Sequence, residues 1–155
     1  MEIITSERVI FLIEQDTIKL LRECDAGVKM GTRSIDDVLA HVSSDKMAKY
    51  LTACKDEHLK LGHEIEAALD RFSDDGKDPN PMAKTMSYLK TEMKLAMEDT
   101  DSTVADLMTD GCNMGVKSLN RYLNEYKAAD EAAKDICKRL INLEERLAID
   151  LRQFL

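Results

Sequence analysis

The chain has 155 residues, of which 44% are hydrophobic and 34% charged, with only six glycines and two prolines. This profile suits a single domain and predicts an all-α protein built from long helices. A formal net charge of -8 opposes binding to phosphate backbones and anionic lipid. We therefore do not expect nucleic acid to be a partner. The longest apolar run, residues 9–13, is too short to span a membrane and lacks the basic start of a signal peptide. We therefore expect a cytoplasmic protein with no membrane partner.

A short segment near the start of the chain recurs in its second half. Cys24–Lys29 reads CDAGVK, and Cys112–Lys117 reads CNMGVK. Self-similarity of this kind is the signature of an internal repeat. It predicts two related helix pairs, at about 6–73 and 102–155, joined by a crossover over 74–101.

The first helix is predicted to run from a cap at Ser6 to about Ala40, because apolar residues recur along it at three- and four-residue intervals. A second helix follows a cap at Ser43 or Ser44, and His58 interrupts its otherwise apolar stripe. So short a link predicts that the two helices are antiparallel neighbours.

The crossover is predicted to contain a short extra helix over 81–98, because Asn80 can cap it and Pro81 suits its first turn. One face of this helix is apolar and is expected to pack on the protein beneath it: Met82, Met86, Leu89, Met93 and Met97. A further helix is predicted over about 102–127. The last one begins after a cap at Asp130 and reaches the C terminus.

Two antiparallel helix pairs joined by a long connection are the topology of ferritin-like four-helix bundles. The segments Cys24–Asp37 and Cys112–Glu125, with an Asp-x-Gly or Asn-x-Gly patch in each, resemble the paired first helices of an uncharacterised bacterial ferritin-like family. An acidic patch on each following helix adds to the resemblance. The resemblance implies one ferritin-like domain over residues 1–155, with a long crossover between the second and third bundle helices.

A ferritin-like di-iron centre needs a glutamate from each of two helices and a Glu-x-x-His motif from each of the other two. That motif is absent, because Lys55 and Lys60 stand three residues before His58 and His63. The positions at which the resemblance implies ligands hold Asp25, Asp56, Glu57 and His58 in the first half and Asn113, Glu144, Glu145 and Arg146 in the second. An intact di-iron centre is therefore not expected.

Two interpretations of these positions stay open. The favoured one is a structural polar layer without a metal or other cofactor, since a buried charge that lacks a partner costs several kcal/mol. In this layer Asp25 or an acid of the second helix pairs with His58, and Asn113 or an acid of the last helix pairs with Arg146. The alternative is a degenerate di-metal carboxylate protein that binds iron or another transition metal through four ligands: Asp25, Glu57, His58 and Glu145.

Glycines stand at matching positions of the two copies, Gly27 and Gly115, inside predicted helices where each costs about 1 kcal/mol. We therefore expect the first and third bundle helices to approach each other closely at these two residues. The four cysteines are widely spaced, with no Cys-x-x-Cys among them, and this spacing predicts buried, reduced thiols.

No phosphate-binding loop, nucleophile elbow or catalytic triad order is visible in the sequence. We therefore favour a ferritin-like bundle that is a non-catalytic binding or structural module. A further alternative is an oligomeric protein-interaction scaffold. Phe11 and Leu12 lie off the apolar stripe of the first helix, in a segment that is apolar on every side, and they predict a homodimer through this helix start.

Overall fold

The structure, a computed structural model, describes residues 5–155. These residues form five α-helices and a terminal 3-10 turn, with no strand among them, so the all-α prediction is confirmed. The elements are α1 Ser6–Leu39, α2 Asp45–Asp70, α3 Pro81–Met97, α4 Asp101–Glu125, α5 Glu131–Leu151 and the turn Arg152–Phe154. No helix in this described part is both long and apolar enough to cross a membrane.

Side-chain caps define where the helices begin. The caps that the sequence predicts for α2, α3 and α5 are present, and they are Ser44, Asn80 and Asp130. At α1 the prediction of Ser6 is wrong by one residue, because the hydroxyl of Thr5 accepts from the backbone N–H of Arg8 at 3.3 Å. A capping side chain satisfies a helix N–H that has no partner inside the helix.

The four long helices α1, α2, α4 and α5 pack around two clusters of buried apolar side chains. Helix α1 lies against α2 and α4, helix α5 lies against the same two helices, and α1 and α5 also meet each other. One cluster includes Leu20 and Leu140, and the other includes Val38 and Leu151. As predicted, the cysteines are buried free thiols within these clusters: Cys24, Cys54, Cys112 and Cys137.

The link from α2 to α3, residues 71–80, is attached to α1 through a buried carboxylate. Asp25 is only 3% exposed, and its Oδ2 accepts from the backbone N–H of Lys77 at 2.9 Å and from Nζ of Lys29 at 2.8 Å. Gly76 has φ +86 and lies so close that an added Cβ would collide with the same oxygen. Asp25 therefore sets where the crossover leaves the core.

Helix α3 turns a different face towards the core from the one predicted. Its methionine face, which we define as Met82, Met86, Leu89, Met93 and Met97, is exposed along its length. The side chains of α3 that face inwards are small, and two of the three carry a hydroxyl group: Ala83, Ser87 and Thr91. Leu95 is the buried residue of α3, and Lys94 pairs with Asp106 of α4 at 3.2 Å. These anchors fix the rotation of α3, so the prediction that its methionines pack on the core is wrong.

The first turns of α1 extend beyond the other helices. Every residue from position 5 to position 15 is exposed, and the core begins at Asp16 and Thr17, whose side chains accept from backbone N–H groups of the α4–α5 link at 2.9 Å. Ile10 and Ile13 have the spacing of the apolar stripe of α1, and this spacing predicts that they are buried, but they are 63% and 38% exposed. This prediction is wrong because no described helix packs at this level.

Candidate functional site

A cavity of about 650 Å³ lies between α1, α4 and α5, and α3 covers its outer side. Its walls are mainly apolar, with Ile35 and Val38 of α1 facing Leu107 and Leu119 of α4. Small-molecule sites in proteins are commonly clefts of roughly 300–1,000 Å³ with apolar walls and a few polar groups. The size and lining of this cavity fall within that class.

The space exists because α1 and α4 present small residues towards it: Ala26, Gly27, Gly31 and Ser34 from α1, and Gly111, Gly115 and Ser118 from α4. A Cβ added at Gly27 would lie 3.4 Å from Leu140, and one added at Gly115 would lie 3.5 Å from Oε2 of Glu144. These are ordinary contact distances. The predicted close helix contact at Gly27 and Gly115 is therefore wrong, and these glycines instead widen the cavity.

A buried ion pair lies on the α5 side of this cavity. His58 of α2 is 1% exposed, and its Nε2 donates to Oε1 of Glu144 on α5 across 2.7 Å. Its Nδ1 donates to the backbone carbonyl of Cys54 at 2.8 Å. Because both partners are acceptors, the ring carries a proton on each nitrogen. The pair therefore joins two helices that are distant in the chain.

Electrostatics of this pair favour the charged ring. Burial lowers the pKa of His58, but contact with the side chain of Cys54 and the hydrogen bond and charge of Glu144 outweigh burial and raise that pKa to about 10. The ring is then an imidazolium at neutral pH, and the two charges compensate each other. Burial, followed by the Glu144 charge, also raises the pKa of the Cys112 thiol far above its ordinary value, so this thiol stays protonated.

Gly31 of α1 provides the room that this pair occupies. A Cβ added there would lie 2.9 Å from both Cδ2 and Nε2 of His58 and 3.4 Å from Oε1 of Glu144. The ring is held at both nitrogens and cannot turn aside without losing a hydrogen bond. A side chain at position 31 is therefore incompatible with the pair as it stands.

The structure does not assemble the predicted polar layer. Asp25 binds the crossover, whereas Asn113 and Arg146 are exposed on the outside of the protein. His58 points inwards, as its place on the α2 stripe indicates, and its partner is Glu144. Glu144 is among the positions at which the resemblance implies ligands, but the resemblance does not distinguish it from Glu145 as the partner of His58. The signal that distinguishes Glu144 is its spacing, four residues after Leu140 and three before Leu147, both of them buried.

The ligand set of the metal alternative is also not assembled. Glu57 and Glu145 are exposed, Asp25 binds the crossover, and His58 binds Glu144. Within residues 5–155, no group of three or more His, Cys, Asp or Glu side chains is placed to hold a metal ion. The grouping of these four residues that the metal alternative requires is therefore contradicted.

Comparison with known proteins gives no relative for this chain. No protein-family model matches it, and no curated protein or solved structure matches it. The cavity and the ion pair beside it are therefore the features from which a function can be inferred.

Gly31→Ala should destabilise the protein by about 1–3 kcal/mol, because the added methyl group overpacks the fixed imidazole ring of His58. Gly111→Ala is the matched control, since a Cβ there meets nothing within 4 Å. The control should gain up to about 1 kcal/mol from the better helix propensity of alanine. Urea unfolding of both variants measures the difference, and equal effects would contradict the packing described for Gly31.

Stability should fall as the pH rises from about 6.5 to 10. The pKa of His58 is raised in the folded protein to about 10, so its contribution is fully present below the unfolded pKa of about 6.5 and is lost as pH approaches 10. The wild type should lose a few kcal/mol more over this window than a His58→Gln variant.

His63→Gln is the control for this pH effect, because the side chain of His63 is 81% exposed. It should keep the wild-type pH dependence in urea unfolding. An identical slope for the wild type and His58→Gln would show that the ring is not charged in the folded protein.

Proposed function

We propose that this chain is a ferritin-like helical bundle and acts as a non-catalytic module that binds a small, largely apolar molecule in the cavity beneath α3. The ferritin-like assignment is supported by the helix order, in which α3 connects the second and third long helices across the outside of the core. The cavity is the observation that carries the binding function.

A purely structural role accounts poorly for this cavity. Protein interiors are packed as densely as organic crystals, and unfilled space near buried side chains costs stability. Here small residues on two facing helices keep about 650 Å³ open next to the cores. Filling that space with a ligand would recover the contacts that the missing side chains do not make.

The weak attachment of the N-terminal part of α3 would let a ligand reach the cavity. Its buried residue, Leu95, lies near its C-terminal end, where Lys94 also pairs with Asp106. The N-terminal part of α3 covers the cavity with a small, polar face and has no buried residue of its own. Displacing that part therefore costs little apolar contact and opens a route for a ligand.

The chemistry of the site supports binding over catalysis. A general base works best with a pKa near the operating pH, whereas the pKa of His58 is raised to about 10 and the ring keeps its proton at neutral pH. A reactive cysteine needs a lowered pKa, and the pKa of the neighbouring Cys112 is raised instead. The His58 ring and the Cys112 thiol are therefore suited to holding the geometry of the site and not to reacting with a substrate.

The neutral dye Nile red tests the binding function. The wild type should bind it saturably with a fluorescence increase, and Gly115→Leu should weaken that binding at least about tenfold, because the added side chain enters the cavity. Asn113→Leu is the matched control, since it places the same side chain on the exposed side of α4 and should bind like the wild type.

Circular dichroism of each variant confirms that it is folded during this measurement. Absence of saturable dye binding to the wild type would contradict the proposed function. Equal binding by the wild type and a folded Gly115→Leu variant would move the dye site away from the cavity and would contradict it as well.

An oligomeric scaffold is the second candidate, and a different surface favours it. Phe11 is 57% exposed and Leu12 is 47% exposed on the extension of α1, and the methionine face of α3 is open as well. Patches of this kind on a protein surface usually mark an interface. Neither patch is covered by the described part of the chain.

We propose that a second copy of this chain covers both patches, with the α1 extension of each copy packed on the methionine face of the other. A twofold arrangement makes this contact twice, whereas self-packing of the two extensions would leave both α3 helices open. The extension carries Glu7 and Glu14 beside Arg8, and α3 offers Lys84 to them, since its other lysines, Lys90 and Lys94, pair with Asp110 and Asp106 of α4.

Phe11→Asp combined with Leu12→Lys should convert the dimer into a monomer that keeps its helical signal, because charges replace the apolar contact. Met86→Glu combined with Met93→Lys should do the same from the α3 side. Sedimentation velocity at about 100 µM measures both. A native protein that is already monomeric contradicts the dimer, and a dimer that survives the α3 changes contradicts this docking mode.

A further inference from the structure

One carboxylate oxygen in the cavity is not used by the ion pair. Oε1 of Glu144 accepts from His58, whereas Oε2 is the atom nearest to the position that a side chain of residue 115 would occupy, at 3.5 Å. Because residue 115 is glycine, this oxygen keeps open space in front of it. A carboxylate has about four acceptor positions, so the weak thiol donor of Cys112, which interacts with Glu144, leaves others free.

The charge at this point is already balanced. His58 faces Glu144 from α2, and the remaining nearby groups of the cavity wall are apolar or small. A cation that enters the cavity would lose its hydration without meeting an uncompensated charge. An anion would meet a carboxylate oxygen and would be repelled. An uncharged hydrogen-bond donor has neither disadvantage.

The rest of the cavity lining determines that the ligand body should be apolar. Leu140 and Leu147 flank Glu144 on α5, and Ile35 and Met108 line the space above them. At the end near the crossover, Lys77 is paired with Glu23, so its charge is compensated too. A ligand body in this space therefore meets mainly apolar surface.

We propose that the cavity selects an uncharged, mainly apolar molecule that carries one hydrogen-bond donor, such as an alcohol, a phenol or a secondary amide, and that this group donates to Oε2 of Glu144. The inference depends on the proposed function, because it presupposes that the cavity binds a small molecule. Glu144 is then a specificity-determining residue, and His58 is the positioning residue that holds it.

Four probes with the same ten-carbon tail test this selection in the wild-type protein: 1-decanol, decyl methyl ether, decylammonium and decanoate. Each displaces Nile red in a competition titration. The alcohol should bind at least about tenfold more tightly than the ether, which has the oxygen but no donor, since a hydrogen bond to a charged acceptor contributes at this level. The two ions should also bind at least about tenfold more weakly than the alcohol.

Glu144→Met removes the acceptor with a similar side-chain length, and it should bring the alcohol-to-ether ratio close to one. If this variant does not fold, the four wild-type affinities still decide the matter. Equal binding of alcohol and ether, or tightest binding of either ion, overturns the selection while the binding function stands. Failure of Nile red and all four probes to bind overturns the binding function itself.

Discussion

The contact between His58 and Glu144 is the constraint on which the rest of the site depends. It joins α2 to α5 inside the core, and it requires that α1 carry no side chain at Gly31. A buried charge is tolerated only with a partner and further hydrogen bonds, which here come from the carbonyl of Cys54. The same contact leaves the second oxygen of Glu144 beside the cavity. Packing, charge and the proposed hydrogen-bond acceptor thus follow from one pair.

The cavity results from the spacing between α1 and α4, and the path of the crossover results from the way in which it is attached at its two ends. Small residues along α1 and α4 leave space between them, and α3 spans that space because Asp25 fixes one end of the crossover and Leu95 anchors the other. The bridging helix is attached through Leu95 and the ion pairs of Lys90 and Lys94 with α4, whereas its N-terminal part has no buried residue. A cover of this kind suits a site that must open, since low local stability is what permits motion.

Local sequence patterns were sufficient for much of the fold. Capping residues at Ser44, Asn80 and Asp130 and the apolar periodicity predict the helices to within a few residues. The rotation of α3 was not predictable from its own stripe, because the ion pair of Lys94 with Asp106 and the buried Leu95 turn the apolar face away from the core. Likewise, an acidic patch does not reveal that Glu144 turns inwards while Glu145 faces solvent. Such choices depend on neighbouring helices, which periodicity alone does not specify.

Nitrogen NMR of the His58 side chain shows whether the buried ring that faces Glu144 is charged. Protein labelled with ¹⁵N in its histidines should show, at pH 8, one imidazole with both ring nitrogens protonated, because its pKa is raised to about 10. His58→Gln assigns the signal by removing it. A neutral ring with one protonated nitrogen at that pH would contradict the ion pair and the account built on it.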